Sequence, residues 1–204
     1  YVNYNQRCLI AGGAGTGKTL MALEIAKRKA SEDLKIGVFC FNQQLGEKLN
    51  NSIQIINNDS IEFSGTLHKY MINETKSKPP ANTDEHKKYF SETLPLEFLI
   101  ECDEIEEQNK LDFLIIDEAQ DLISPNYLEV FDSILKGGIR NGNWIMFGDF
   151  SNQAIYSDDS VKIHELLHSY SSFVRCPPLK INCRNTKKIA EQNTLLTGVE
   201  LPKF

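Results

Sequence analysis

Gly12-Gly13-Ala14-Gly15-Thr16-Gly17-Lys18-Thr19 fits the phosphate-binding pattern G-x-x-x-x-G-K-[ST], and its two flanks decide how the chain folds around it. The apolar run Cys8-Leu9-Ile10-Ala11 before it reads as a buried strand, and residues 20–27 after it read as a helix. Glycines let the backbone wind closely around a phosphate, so that several N–H groups and the helix N-terminus point at it. Lys18 is then expected to reach the β- and γ-phosphates, and the Thr19 hydroxyl to hold Mg²⁺. A glycine-rich turn that binds nothing is the bland alternative. With every required position filled and both flanks correct, the stretch predicts a nucleoside triphosphate site.

Working outward, strand-like and helix-like segments alternate. Strands are expected over Arg7–Ala11, Lys35–Phe41, Leu111–Asp117, Asn143–Gly148 and Leu179–Asn182. Helices are expected over Lys18–Ser31, Gln43–Asn51, Pro95–Asn109, Pro125–Lys136 and Val161–Ser169. The strands are rich in Val, Ile, Leu and Phe without alternation, as a parallel sheet covered on both faces requires. Asn73–Glu85 breaks the rhythm with polar residues and Pro79-Pro80, and reads as a loop. The acidic, helix-prone stretch Asp84–Gln108 that follows reads as a solvated face or a small protein-binding insertion. A second change falls at Cys176-Pro177-Pro178, beyond which a new strand and helix are expected.

Composition narrows the class. The 204 residues are 41% hydrophobic, enough for one substantial core. No apolar run approaches the roughly 18 residues of a membrane span, and no signal segment opens the chain. Five scattered cysteines without a C-x-x-C pair read as reduced thiols, which points to the cytoplasm. A net charge of −6 gives no bulk attraction to polyanions, so contact with nucleic acid would need a local surface.

Leu114-Ile115-Ile116-Asp117-Glu118-Ala119-Gln120-Asp121 supplies the second half of an ATPase site. The strand tip carries Asp117 toward the Mg²⁺, and Glu118 can orient or deprotonate the attacking water. With this stretch the chain resembles superfamily 1 helicases of the UvrD/Rep type. GGAGTGKT (12–19) is similar to their first motif and DEAQD (117–121) to their second. Phe39-Cys40-Phe41-Asn42-Gln43-Gln44-Leu45 resembles the strand-end segment that touches single-stranded DNA, and Gly65-Thr66-Leu67-His68-Lys69-Tyr70 the Thr-x-His motif beyond it. Phe147-Gly148-Asp149 with Gln153-Ala154-Ile155-Tyr156 is similar to the motif coupling triphosphate to DNA, and Asn182-Cys183-Arg184-Asn185 to the opening of the second RecA-like domain.

The resemblance implies an α/β RecA-like P-loop NTPase domain, mostly parallel, with helices on both faces. It implies a nucleotide cradle of Gly12, Gly13, Ala14, Gly15, Thr16, Gly17, Lys18 and Thr19, with Asp117 beside Thr19 on the metal. Glu118 would be the catalytic base, Gln153 a γ-phosphate sensor and Arg184 an arginine finger. Asn42, His68 and Tyr156 would meet single-stranded DNA. Each has a plainer reading as well: Asn42 as a helix cap, His68 and Tyr156 as packed aromatics, Arg184 as a salt-bridging residue. Cys183 stands where the family has a base-stacking Tyr, which loosens adenine selectivity. Asp149 and Gln153 are one residue further apart than usual, and acidic Asp158 and Asp159 follow Tyr156 closely. Gln6 lies too close to the loop to replace the family's upstream glutamine.

The boundaries expected are a first RecA-like domain over 1–176, with a reduced insertion at about 71–110, and the start of a second over 177–204. No later helicase motif follows Asn185, so the chain reads as a fragment needing the rest of that second domain. His164-Glu165-Leu166-Leu167-His168 matches the zinc-protease pattern H-E-x-x-H, but no protease sheet or cleft accompanies it, and no zinc is expected. The function expected is an ATP-dependent helicase or translocase using Mg²⁺ and ATP on single-stranded DNA. The alternatives are a DNA-independent switch or defence ATPase and a nucleotide-binding scaffold; no membrane partner is expected.

Overall fold

Apolar strands that do not alternate must be buried on both faces, and the sheet supplies both covers. The computed structural model describes residues 4–101, 105–150 and 159–184. Among them are β1 (Arg7–Ala11), β2 (Ile36–Cys40), β3 (Ile61–Thr66), β4 (Phe113–Ile116), β5 (Asn143–Gly148) and β6 (Val174–Arg175). They form one sheet in the order β3-β2-β4-β5-β1-β6, and every pairing is parallel. The fold is α/β, as a P-loop NTPase requires.

Neighbouring residues along each strand go to opposite layers. Cys8, Ile10, Val38, Ile115, Ile145 and Phe147 face one side, under α1 (Lys18–Ala30) and α2 (Gln43–Ile56). Leu9, Phe39, Leu114, Ile116, Trp144 and Met146 face the other. That second layer holds α3 (Leu67–Thr75), the short α4 (His86–Lys88), α5 (Leu94–Glu101), α6 (Pro125–Ile134), α7 (Gly138–Asn141) and α8 (Asp159–Tyr170). Burying each large aliphatic or aromatic side chain here is worth about 1.5–3 kcal/mol. The chain leaves β1, passes over β5 and β4 to reach β2, and later returns to β5 beside β1. This reversal opens a crevice at the strand carboxyl ends, where α/β sheets bind ligands.

Several expected elements change. β3 has no counterpart in the expected strands; Ile61-Glu62-Phe63-Ser64-Gly65-Thr66 mixes polar and apolar residues because it is an edge strand with only one neighbour. The strand expected at Leu179–Asn182 is instead reduced to isolated bridge residues, Leu179 (paired with Gly12) and Ile181, and the edge strand β6 lies earlier. Pro177 and Pro178 between them lack the N–H groups a continuous ladder needs. The helix expected over Pro95–Asn109 is α5 plus a separate 3₁₀ turn at Glu107–Asn109. Nor is this segment simply a solvated face. Leu94 and Phe98 are fully buried in the same cluster as β4 and α6, so one side of α5 is core. Among the described residues no helix is long and apolar enough to cross a membrane.

Candidate active site

β1 leads straight into the phosphate loop, whose root is pinned by the Gly12 N–H donating to the Gly148 carbonyl of β5 at 3.0 Å. Gly15 and Gly17 take φ of +81° and +90°, a left-handed conformation that glycine adopts without steric cost. α1 starts at Lys18 with no side-chain cap and no acid in its first turn. Its leading N–H groups therefore have no side-chain acceptor, as suits a helix that takes phosphate oxygens there. Lys18 is only 5% exposed, and its Nζ donates to the carbonyls of Gly12 (2.9 Å) and Gly13 (3.3 Å). The Thr16 hydroxyl donates to the Gly13 carbonyl at 2.8 Å and tightens the loop.

β4 ends opposite. The Asp117 N–H donates to the Phe39 carbonyl at 2.8 Å, so the residue still belongs to the sheet and its carboxylate is completely buried. Burial pushes that carboxyl above the ordinary carboxylate range, while the Thr19 hydroxyl and the Lys18 charge oppose the shift. Thr19 Oγ1 donates to Asp117 Oδ2 at 2.5 Å. A hydroxyl and a carboxylate oxygen converging beside a phosphate loop are the hard donors Mg²⁺ prefers, so the residues fit the ion and would hold it.

Glu118 stands in the left-handed region, at φ 52° and ψ 48°. For a residue with a Cβ this costs about 1 kcal/mol, and such strain concentrates at functional sites. It turns the chain so that Glu118 Oε1 lies 3.5 Å from Lys18 Nζ, while Oε2 accepts from Gln120 Nε2 at 3.0 Å. Glu118, Lys18 and the Thr19–Asp117 pair are thus brought together from the start of α1 and the end of β4. The role of Gln120 was not readable from its place within DEAQD. Its carboxamide oxygen accepts from the Asp149 N–H at 3.2 Å, just past the end of β5.

The far side of the loop is covered by the stretch around Arg184. The Cys183 N–H donates to the Gly15 carbonyl at 2.8 Å, and the Arg184 N–H donates to Asn182 Oδ1 at 3.0 Å. A Cβ on Gly15 would stand 2.6 Å from Asn182 Oδ1, so only glycine lets this stretch approach. Arg184 itself is exposed. Gln153 and Tyr156 lie outside the described residues.

The remaining candidates are engaged differently. Asn42 caps α2, its side chain accepting from the Leu45 N–H at 3.1 Å. His68 sits among Phe41, Phe90 and Tyr127, with ring centroids 5.1, 4.9 and 5.6 Å away, and its Nε2 is 2.8 Å from the Tyr127 hydroxyl. Burial lowers its pKa to about 4, so it is neutral at pH 7 and presents no cation. Phe41, half-exposed beside it, offers a ring face that the motif spacing did not single out. In the zinc-like pattern, His164 lies against Phe150 and His168 stacks on Phe173 at 4.3 Å; among the described residues no three metal-ligating side chains cluster.

A parallel sheet with this loop, this lysine and this paired carboxylate defines a P-loop nucleotide-binding ATPase core. Comparison with known families assigns it further: residues 2–159 match the AAA domain. The chain belongs to that family, a domain found in UvrD/Rep-like helicases and related P-loop NTPases. No curated protein matches the sequence.

Proposed function

We propose that this chain is the first ATPase half of a UvrD/Rep-type helicase or translocase, coupling ATP hydrolysis to single-stranded DNA. The observation that carries the reading is the seating of Asn182–Arg184 on the phosphate loop, through the 2.8 Å bond from Cys183 N–H to Gly15 O. The stretch that resembles the opening of a second RecA-like domain thereby starts at the nucleotide, which favours domains over 1–176 and from 177 onward.

The chemistry follows from the residues. The loop N–H groups take the triphosphate, and Lys18 exchanges its carbonyl contacts for the β- and γ-phosphate oxygens. Thr19 and Asp117 would hold Mg²⁺, which would supply neutralisation of the phosphate charge. Glu118 accepts a proton from water as the water oxygen bonds the γ-phosphorus and the β–γ bridging oxygen leaves with ADP. Arg184 would stabilise charge on the transferring group, and Gln153 would sense it. Cys183 stands where the family has a base-stacking Tyr, so the site would read phosphate more strictly than base. Asn42, His68 and Tyr156 would line the strand, with the half-exposed Phe41 ring available for stacking.

The test is ATP hydrolysis by the full-length protein with and without a single-stranded oligonucleotide. A many-fold stimulation, absent in Glu118→Gln, supports the motor. A DNA-indifferent rate favours a switch ATPase. That second reading draws on Asn42 and His68 being bonded to the fold itself.

A further inference from the structure

We propose that Gln120 is a positioning residue for hydrolysis: its carboxamide ties the Glu118 carboxylate to the end of β5 at Asp149. The proposal rests on the reading of Glu118 as the base. Each end of the carboxamide has a chemically distinct job. Nε2 donates to Glu118 Oε2 at 3.0 Å and to Asp121 Oδ2 at 3.3 Å, while Oε1 accepts from the Asp149 N–H at 3.2 Å. Turned over, the amide would set its oxygen against two carboxylates and its NH₂ against an N–H. Only one orientation works. A second observation agrees with this. A Cβ on Gly148 would lie 2.8 Å from Gln120 Oε1 and 2.5 Å from the Phe150 ring, so a bare glycine at the end of β5 makes room for the amide to reach across.

The arrangement matters most once nucleotide is bound. Glu118 has two side-chain holds in the structure, Lys18 and Gln120. The phosphates claim Lys18, which leaves Gln120 to keep the carboxylate aimed at the water. Because its other end grips Asp149, the base is referenced to the segment that runs on toward Gln153. Among the described residues Gln120 bonds none of the phosphate-loop residues, and its effect passes through Glu118.

Two variants separate this role from simple anchoring of Asp149. Gln120→Met keeps the side-chain length and loses both ends. Gln120→Glu keeps the acceptor for Asp149 and loses the donor to Glu118. In the full-length protein both are expected to lower kcat roughly ten- to hundredfold, with KM for ATP within about twofold. Added to Glu118→Gln, Gln120→Met should lower the rate no further, since the group it acts through is already gone. Wild-type kcat in Gln120→Glu, or full additivity with Glu118→Gln, overturns the proposal alone. A wild-type protein without ATPase activity, or an unimpaired Glu118→Gln, overturns the base assignment and the proposal with it. Where Gln120→Met does not fold, Gln120→Glu, which retains the Asp149 bond, decides the question.

Discussion

Around the phosphate loop the polar side chains bond one another and the loop's own carbonyls, whereas around His68 they bond the surrounding fold. Lys18 meets Glu118, Thr19 meets Asp117, and Glu118 meets Gln120. All of these contacts can be exchanged for a ligand, because each partner belongs to the same crevice. At the rim formed by the end of β2 and the start of α3, Asn42 caps a helix and His68 bonds Tyr127, whose hydroxyl donates to the Phe90 carbonyl at 3.0 Å. Releasing those contacts would unpick helix ends and packing. The first cluster is built to change partners and the second to keep them. A nucleic-acid strand at the rim would therefore meet ring faces and whatever polar atoms the caps leave over.

Substitutions sharpen that contrast, beginning with the exchangeable cluster. Glu118→Gln keeps the shape of the base but cannot take a proton. Hydrolysis should fall by about 10²–10⁴ while nucleotide affinity is maintained, read by single-turnover kinetics beside a binding titration. Retention of both would mean that Glu118 is only strained backbone. Lys18→Ala comes next. It removes the cation that would meet two phosphates, and charged hydrogen bonds of this kind are worth about 1.5–3 kcal/mol. Triphosphate affinity should weaken at least about a hundredfold in a calorimetric titration. An unchanged heat would remove the loop from the binding site.

The two clusters also differ in how far they could be read in advance. Lys18 and Thr19 are set by a contiguous pattern, and Asp117 and Glu118 by their place at the tip of an apolar strand. Local sequence suffices for both. Gln120 needs Asp149, 29 positions on, and His68 needs Tyr127, 59 positions on. No local spacing announces such pairs. β3 was hidden for a related reason: with a single neighbour it keeps Glu62 and Ser64, and its pattern stops looking like a doubly covered strand. The prolines at 177 and 178 misled in the other direction. The apolar residues beyond them resemble a strand, but beside the missing donors they form isolated bridges, as at Leu179, and no continuous ladder among the described residues.

At the rim, His68 gives a pH signature. Burial moves its pKa from the ordinary 6.5 down to about 4, so the fold favours the neutral imidazole. The stabilising share is whole above pH 6.5 and is lost as pH falls toward about 4, because the unfolded chain takes up the proton first. At one pKa unit per 1.36 kcal/mol the full loss is of order 3 kcal/mol. Denaturant unfolding of wild type and His68→Phe across that window should diverge, with the variant lacking this part of the decline. Parallel curves would place the imidazole in water and open the nest to a ligand.

Asn42 offers the smallest effect and the cleanest choice between the two readings of the rim. Asn42→Ala removes the acceptor for the Leu45 N–H and should cost about 1 kcal/mol of stability whatever the protein binds. That variant alone decides little about DNA. Asn42→Asp separates the two roles, since a carboxylate caps a helix N-terminus as well as an amide and gains from the helix dipole. Its thermal midpoint should stay at or above that of wild type. If a phosphate backbone passes Asn42, the new negative charge repels it, and the oligonucleotide concentration for half-maximal ATPase stimulation should rise several-fold at low salt. If Asn42 is a cap and nothing more, stimulation is unchanged, and the rim belongs to the fold rather than to a strand.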